Sequence, residues 1–297
     1  MSTVTPTSEI WGPLAEPVHP DEAGPADPVW KDNAYLSFWD VPARVFGTLH
    51  LSTSPNGEGS RRARCSVSAD GQVAEVVEEL PVGEFRSESI HFGLDGRIKV
   101  SHPDLDVDLV NLPLFTPADY AVGGVIPELV PGRPLRHYQQ AAAVEGTIRL
   151  RGRQHDVAGH GMRDRTWGFR DESAQWVEYA GLIGVFEGTF ITAMKFLGND
   201  GSLRADGFLV DDQGQRTITG MWFTRDAAAQ FVSARLKLGD GSTFGVTMTG
   251  REGGFWVPMG ARNEGPSFGT YDDFLRLELA GRSGAGFFEQ GIVHRVW

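Results

Sequence analysis

The stretch from Gly159 to Asp171 reads Gly-His-Gly-Met-Arg-Asp-Arg-Thr-Trp-Gly-Phe-Arg-Asp, and it sets Arg163-Asp164 and Arg170-Asp171 around Trp167-Gly168. Charges this dense beside an indole are costly to bury unless they pair. Arginine forks bidentately onto carboxylate, so these groups could close into a network at a barrel mouth or between two barrels. An aspartic acid in a dry cavity holds its proton more tightly and becomes a usable acid at neutral pH. Alternation along a strand would put Arg163 and Arg165 on the face opposite Asp164, leaving that carboxyl to look into a cavity without them. Trp167 would offer a π face to a cationic intermediate, worth about 1–2 kcal/mol when desolvated. On this reading Asp164 donates the proton, Trp167 stabilises positive charge, and Arg163 and Arg170 organise the site. Asp171 and Tyr179 are secondary donors or bases. The same cluster could instead be an inter-domain lock with Trp167 as its plug, because ion-pair networks imitate active sites.

Other residues enter the candidate site with a plainer alternative beside each. His160 is a possible catalytic imidazole, although a satisfied core or seam histidine is the commoner use. His155, His160 and Asp164 follow no standard metal spacing, so no metal is expected. Glu289 and His294 differ in parity on a closing strand, so one of them lines the second half and the other faces out. Gly265-Pro266-Ser267-Phe268-Gly269 has nucleophile-elbow spacing but no strand–turn–helix context, and reads as a loop. No phosphate-binding or dinucleotide motif occurs. Cys65, alone in the chain, reads as a small core residue.

The elements that must position these groups are strands. Asn56-Gly57, Asp70-Gly71, Asp95-Gly96, Asp200-Gly201 and Asp240-Gly241 are hairpin signals, since each pair tolerates positive φ. Between them, β-branched and aromatic runs predict strands at Val45–Thr53, Val73–Val77, Ile98–His102, Val107–Leu112 and Thr147–Arg153. A second set is predicted at Trp176–Gly184, Thr189–Leu197, Arg216–Thr224, Phe231–Leu238, Phe244–Thr249 and Phe274–Leu279. This rhythm belongs to sandwiches and barrels, not to βαβ units. Trp39, Trp222 and Trp256 read as barrel core. The first residues carry repeated prolines and read as an extended arm or tail. Pro113 to Pro134 is a proline-interrupted, apolar connection, read as a cover over a pocket or seam, or else as a surface crossover.

Among 297 residues, 39 acidic against 27 basic side chains give a net charge of -12, which opposes nucleic acid and anionic membrane surfaces. Neither a secretory leader nor a membrane-length apolar run is apparent, and a cytoplasmic location is expected. Self-association is compatible with the sequence.

The motif resembles that of a bacterial family with the pattern Arg-Asp-His-Ser-Trp-Gly-Pro-Arg-Asp-Trp, preceded by a His-aromatic-Glu-Gln segment that reads His137-Tyr138-Gln139-Gln140 here. That family is similar to the carotenoid hydratase and AttH-like superfamily, which includes lipocalin-like Diels–Alderases. The resemblance implies an all-β fold of two tandem lipocalin-like barrels: an arm at 1–29, a first barrel at 30–171 and a second at 172–297. It implies cofactor-free chemistry on a small hydrophobic, terpenoid-like molecule: hydration or dehydration of a carbon–carbon double bond, or isomerisation or cyclisation. A non-catalytic binder of apolar ligands is the remaining reading. Asp164 and Trp167 match the family's acidic and aromatic positions, while His137, Tyr138, Arg163, Arg170 and Glu289 are candidate substrate contacts. The chain departs from the pattern at Arg165 for His, Thr166 for Ser, Phe169 for Pro and Glu172 for Trp. An arginine cannot replace a histidine as a general acid near neutral pH.

Overall fold

Asp70 and Gly71 both adopt positive φ, 50° and 78°, and this primed turn joins two strands of a predicted hairpin. The computed structural model describes residues 7–19, 23–57, 59–259 and 267–295. Its strands are β1 (Trp30–Asp40), β2 (Val45–Thr53), β3 (Arg62–Ala69), β4 (Gln72–Glu78), β5 (Ile90–Phe92) and β6 (Arg97–His102). There follow β7 (Leu105–Pro113), β8 (Ala118–Asp119), β9 (Arg136–Leu150) and β10 (Arg153–Phe169). After the short helix α1 (Glu172–Gln175) come β11 (Trp176–Phe186), β12 (Thr189–Gly198), β13 (Leu203–Asp211) and β14 (Gly214–Arg225). The last are β15 (Phe231–Leu238), β16 (Thr243–Pro258), β17 (Ser267–Leu279) and β18 (Arg282–His294). The protein is all-β, with tandem lipocalin-like halves.

The chain divides into two units, Met1–Pro117 with Arg136–Gly168, and Ala118–Leu135 with Phe169–Trp297. Residues 118–135, assigned above to the first half, therefore group with the second. In the first unit the sheet runs β4-β3-β2-β1-β10-β9-β7-β6-β5 and is not closed by pairing of its outer strands. It is rolled nonetheless, because β4 packs against β7 and β9. Leu36 and Phe38 on β1, Leu49 and Leu51 on β2, and Val107 and Leu109 on β7 are buried on its apolar side. The 3₁₀ helix Ser8–Ala15 adds Trp11 and Leu14 to this core, so that part of the arm is packed and not extended. Asn56 does not make a tight turn; its side chain accepts from the Trp30 amide at 2.9 Å and donates to the carbonyls of Gly24, Asp27 and Pro28.

In the second unit β11 through β18 pair in chain order and close into a barrel. Its inward side chains include Leu182, Ile191, Ile218, Phe231, Leu236, Leu277 and Phe288, a contiguous apolar core. Phe231 and Phe288 stack at 4.5 Å within this core. Trp222 and Trp256, expected in the core, are 46% and 55% exposed, whereas Trp39 is buried. Trp222 lies on the outward parity of β14, opposite Arg235, whereas Trp256 shares the inward parity of Tyr271 and Leu275 but sits towards the end of its strand, against Tyr271 and His294. Gly265 and Pro266 lie outside the described residues, and Ser267 begins β17. Among the described residues no helix is long and apolar enough to cross a membrane.

Candidate active site

The register of β10 against β9 sets Arg163 opposite Gln140, Asp164 opposite Gln139, Arg165 opposite Tyr138 and Thr166 opposite His137. Alternation then divides the motif between the two faces of one sheet. Arg163, Arg165 and Trp167 point to the apolar side; Asp164 and Thr166 point to the polar side, with Gln139 and His137.

On the polar side a closed set of contacts forms. The Thr166 hydroxyl donates to Asp164 Oδ1 at 2.9 Å, and Gln139 Nε2 donates to Oδ2 at 3.2 Å. His137 Nδ1 lies 2.6 Å from Thr166 Oγ1, and His137 Nε2 lies 3.3 Å from Asp164 Oδ2. All four residues are buried. Thr166 has one proton, and that proton is given to Asp164. Its oxygen must then accept from Nδ1–H of His137. The remaining contact, Nε2 against Oδ2, sets lone pair against lone pair unless a proton lies between them. The Nε2–Oδ2 contact becomes an ion pair when the imidazole is protonated. The imidazole beside Asp164 comes from the neighbouring strand, from His137 of the His-aromatic segment.

The apolar side holds ion pairing and stacking. Arg165 Nη1 and Nη2 reach Asp32 Oδ1 and Oδ2 at 2.5 and 3.2 Å, with both side chains almost wholly buried. Nη2 also donates to the carbonyls of Glu16 and Pro17. Burial pushes the Asp32 carboxyl up, against the pull of Arg165 and His19. Trp167 stacks with His19 at 4.7 Å and with Tyr138 at 5.6 Å, and the Arg165 guanidinium sits over its ring. Its π surface is thus engaged by the protein, which corrects the expectation that it would face a cationic intermediate. Tyr138 shares that side, its hydroxyl held by Arg136, so it is a packing partner of Trp167 and no neighbour of Asp164. His160 has the parity of Asp164 but is exposed and four residues along the strand, beyond contact.

The remaining predicted residues lie in the second unit. Asp171 is the N-cap of α1, accepting from the Ala174 amide at 3.2 Å and the Ser173 hydroxyl at 2.7 Å. Arg170 pairs with Glu172 at 2.7 Å and lies over Trp176. Both are local structural groups, in contrast to the roles expected for them. Tyr179 and Glu289 do meet: the buried phenol donates to Glu289. Asp272 stands opposite Glu289 in the β17–β18 register and is fully buried, with the Thr270 hydroxyl 3.4 Å away. Burial foremost, then Glu289 and Asp272, hold the Tyr179 phenol well above its ordinary range, so it stays protonated. Phe196 and Phe268 pack on its ring. On the same outward face, Tyr120 of the 118–135 segment bonds Thr192 at 2.6 Å and sets its edge to Phe208. Gln139, Thr166, Asp32 and Asp272 were not singled out from the sequence. Strand parity around Asp164 could have found the first two once β9 was aligned with β10; the other two depend on pairings across distant sequence.

The sequence pattern of one protein family, described as a domain of unknown function (DUF7064), matches residues 15–292. The chain belongs to the DUF7064 family. No curated protein matches this DUF7064 chain by sequence. Among solved structures it is similar to an AttH-type protein from Nitrosomonas europaea, at 16% identity and TM-score 0.63, covering 93% of this chain and 98% of that one. It is also similar to CghA in complex with Sch210972, at 12% identity and TM-score 0.63, covering 97% of each chain. A third is kievitone hydratase from Nectria haematococca, at 13% identity and TM-score 0.55, covering 100% of this chain and 97% of that one. At these identities the likeness is one of fold, along nearly the whole of each chain.

Proposed function

We propose that this protein is an acid–base enzyme of the hydratase or cyclase type, acting without a cofactor on a small hydrophobic, isoprenoid-like alkene. The observation that carries the reading is the buried ring Asp164–Thr166–His137, in which a carboxylate and an imidazole stand close enough to share a proton. The pair passes this proton to the less substituted alkene carbon, forming a C–H bond and leaving the cation on the adjacent carbon. The Asp164 carboxylate, restored to full charge, stabilises that cation. Water attacks it to form a C–O bond, and the released proton returns to the pair; the reverse sequence is dehydration. In cyclisation a second double bond replaces water as nucleophile, forming a C–C bond and a new cation, which loses an adjacent proton back to the pair. Thr166 and Gln139 fix the carboxylate so that it need not reorganise as charge develops. The fold shared with kievitone hydratase and CghA supports this class of chemistry.

A panel of isoprenoid alkenes incubated in heavy-oxygen water, with products read by mass spectrometry, tests this directly. Gain of one labelled oxygen marks hydration. Asp164→Asn and His137→Gln are each expected to lower the rate about 10²–10⁴-fold. A folded Asp164→Asn protein with undiminished turnover would sink the assignment. The second unit gives a rival donor, because Tyr179 is a buried phenol bonded to Glu289 beside Asp272. If Tyr179→Phe abolishes turnover and Asp164→Asn does not, the chemistry belongs there.

A further inference from the structure

Arg163 is wholly buried on the apolar side of the first sheet, where among the described residues the Asp95 carboxylate acts on it through space without forming a salt bridge. Its guanidinium lies 4.5 Å from the Trp11 ring and 4.8 Å from the Phe92 ring, and Nη2 donates to the Gly93 carbonyl at 3.1 Å. Nε and Nη1 have no hydrogen-bond partner, nor do Trp11 Nε1 and Asn111 Oδ1 close by. That Trp11 Nε1 and Asn111 are near one another follows from Gly96, where an added Cβ would sit 2.8 Å from the indole nitrogen and 2.4 Å from the Asn111 carbonyl. Buried polar groups are nearly always satisfied, and an unpaired buried cation is the costliest exception. Arg165, two residues on, shows the usual remedy in its pairing with Asp32.

What covers Arg163 is the 3₁₀ helix Ser8–Ala15, through Trp11. This segment makes no hydrogen bond to the sheet: its backbone bonds are Ile10 to Thr7 and Glu16 to Pro13. It is also broken at its centre, where Gly12 adopts φ 53° and is followed by Pro13. A helix without regular geometry, packed on the sheet and anchored only beyond its end where Arg165 holds the Glu16 and Pro17 carbonyls, is a segment of low local stability.

We propose that Ser8–Ala15 is a removable plug, and that Arg163 beneath it recognises the carboxylate of an amphipathic ligand whose tail enters the apolar interior of the first sheet. The guanidinium supplies the charge that the interior lacks, and the Trp11 and Asn111 polar atoms border the headgroup. Leu36, Phe38, Val107 and Leu109 are the apolar surroundings the tail would meet. This site is on the opposite face of β10 from Asp164, so it stands or falls apart from the catalytic proposal.

The test titrates the full-length protein with dodecanoate and with dodecanol, following the Trp11 indole N–H in nitrogen-labelled protein and the affinity by calorimetry. A Trp11→Phe sample assigns the signal. Dodecanoate is expected to shift the Trp11 resonance and to bind about 10- to 100-fold more tightly than the alcohol, as for a buried charge-assisted hydrogen bond. Arg163→Met should fold as well as the parent and lose that preference. Equal affinity for acid and alcohol, no response of Trp11, or an Arg163→Met protein that still prefers the acid would overturn the proposal and leave buried water as the partner of these atoms.

Discussion

Replacing Arg165 by methionine removes one half of an ion pair whose two side chains are 0% and 1% exposed. The methionine keeps most of the apolar bulk, so the loss is mainly electrostatic. Asp32 is left buried, with His19 still beside it through the amide at 2.9 Å and Nδ1 at 3.2 Å. Breaking a buried pair on one side costs about 3–5 kcal/mol, because an uncompensated charge remains. Asp32→Asn/Arg165→Met removes both charges and should recover most of that loss. The pH dependence has a definite sign. The Asp32 carboxyl is already raised by burial against the pull of Arg165, and losing Arg165 raises it further. A carboxyl raised in the folded state stabilises the protein fully below its unfolded value of 3.8, and that contribution is lost as pH rises through the folded value. The deficit of Arg165→Met relative to wild type should therefore be largest near neutral pH and shrink on acidification. Urea unfolding followed by circular dichroism at several pH values measures this. A single variant within about 1 kcal/mol of wild type would show that the pair is not structural. So would a double variant no better than the single.

Three further outcomes follow from the same geometry. Arg163→Met should be neutral or stabilising in the ligand-free protein, since it removes an unpaired buried charge that burial already pushes down to about 9; urea midpoints compare it with Arg165→Met. Asp171→Ala should cost about 1 kcal/mol through loss of the α1 cap and leave catalysis unchanged, measured by thermal melting and turnover. In an ultraviolet titration of the folded protein, Tyr179 should contribute no phenolate signal across its ordinary range; the difference spectrum against Tyr179→Phe reads it, and an ionisation near 10 would contradict the buried bond to Glu289.

Much of the architecture can be read from local patterns. Val45–Thr53 and Phe231–Leu238 are β2 and β15 as predicted, because β-branched and aromatic runs bounded by turn residues have few alternatives. Asp70-Gly71, Asp95-Gly96, Asp200-Gly201 and Asp240-Gly241 each place glycine at positive φ, while Asn56-Gly57 does not, since Asn56 is committed to the carbonyls of 24, 27 and 28. Trp222 and Trp256 mislead because bulk favours burial, yet parity turns Trp222 outward and Trp256 lies towards the end of its strand beside Tyr271 and His294. The site is harder to read. Parity correctly separates Asp164 from its flanking arginines. What the sequence cannot show is that Thr166 and His137 are cross-strand partners, or that His19 and Tyr138 occupy the indole of Trp167, because these contacts depend on register across long separations.

The departure at Arg165 is the point at which the two faces of β10 become intelligible together. A histidine there would face the apolar side, where Asp32 waits, and could not reach Asp164 on the same strand. Arginine at 165 satisfies Asp32 with two bonds and ties the arm through Glu16 and Pro17. With that side occupied by ion pairing and stacking, any proton transfer on this strand must use the polar side. There the imidazole of His137 reaches Asp164 from β9, one strand over. Under the proposed chemistry the acid–base imidazole is His137, the histidine of the preceding His-aromatic segment, and not the residue at 165. If His137→Gln reduces turnover as strongly as Asp164→Asn while Arg165→Lys reduces only stability, that division of labour between the faces holds; equal loss of turnover in all three would mean that the strand acts as a single unit.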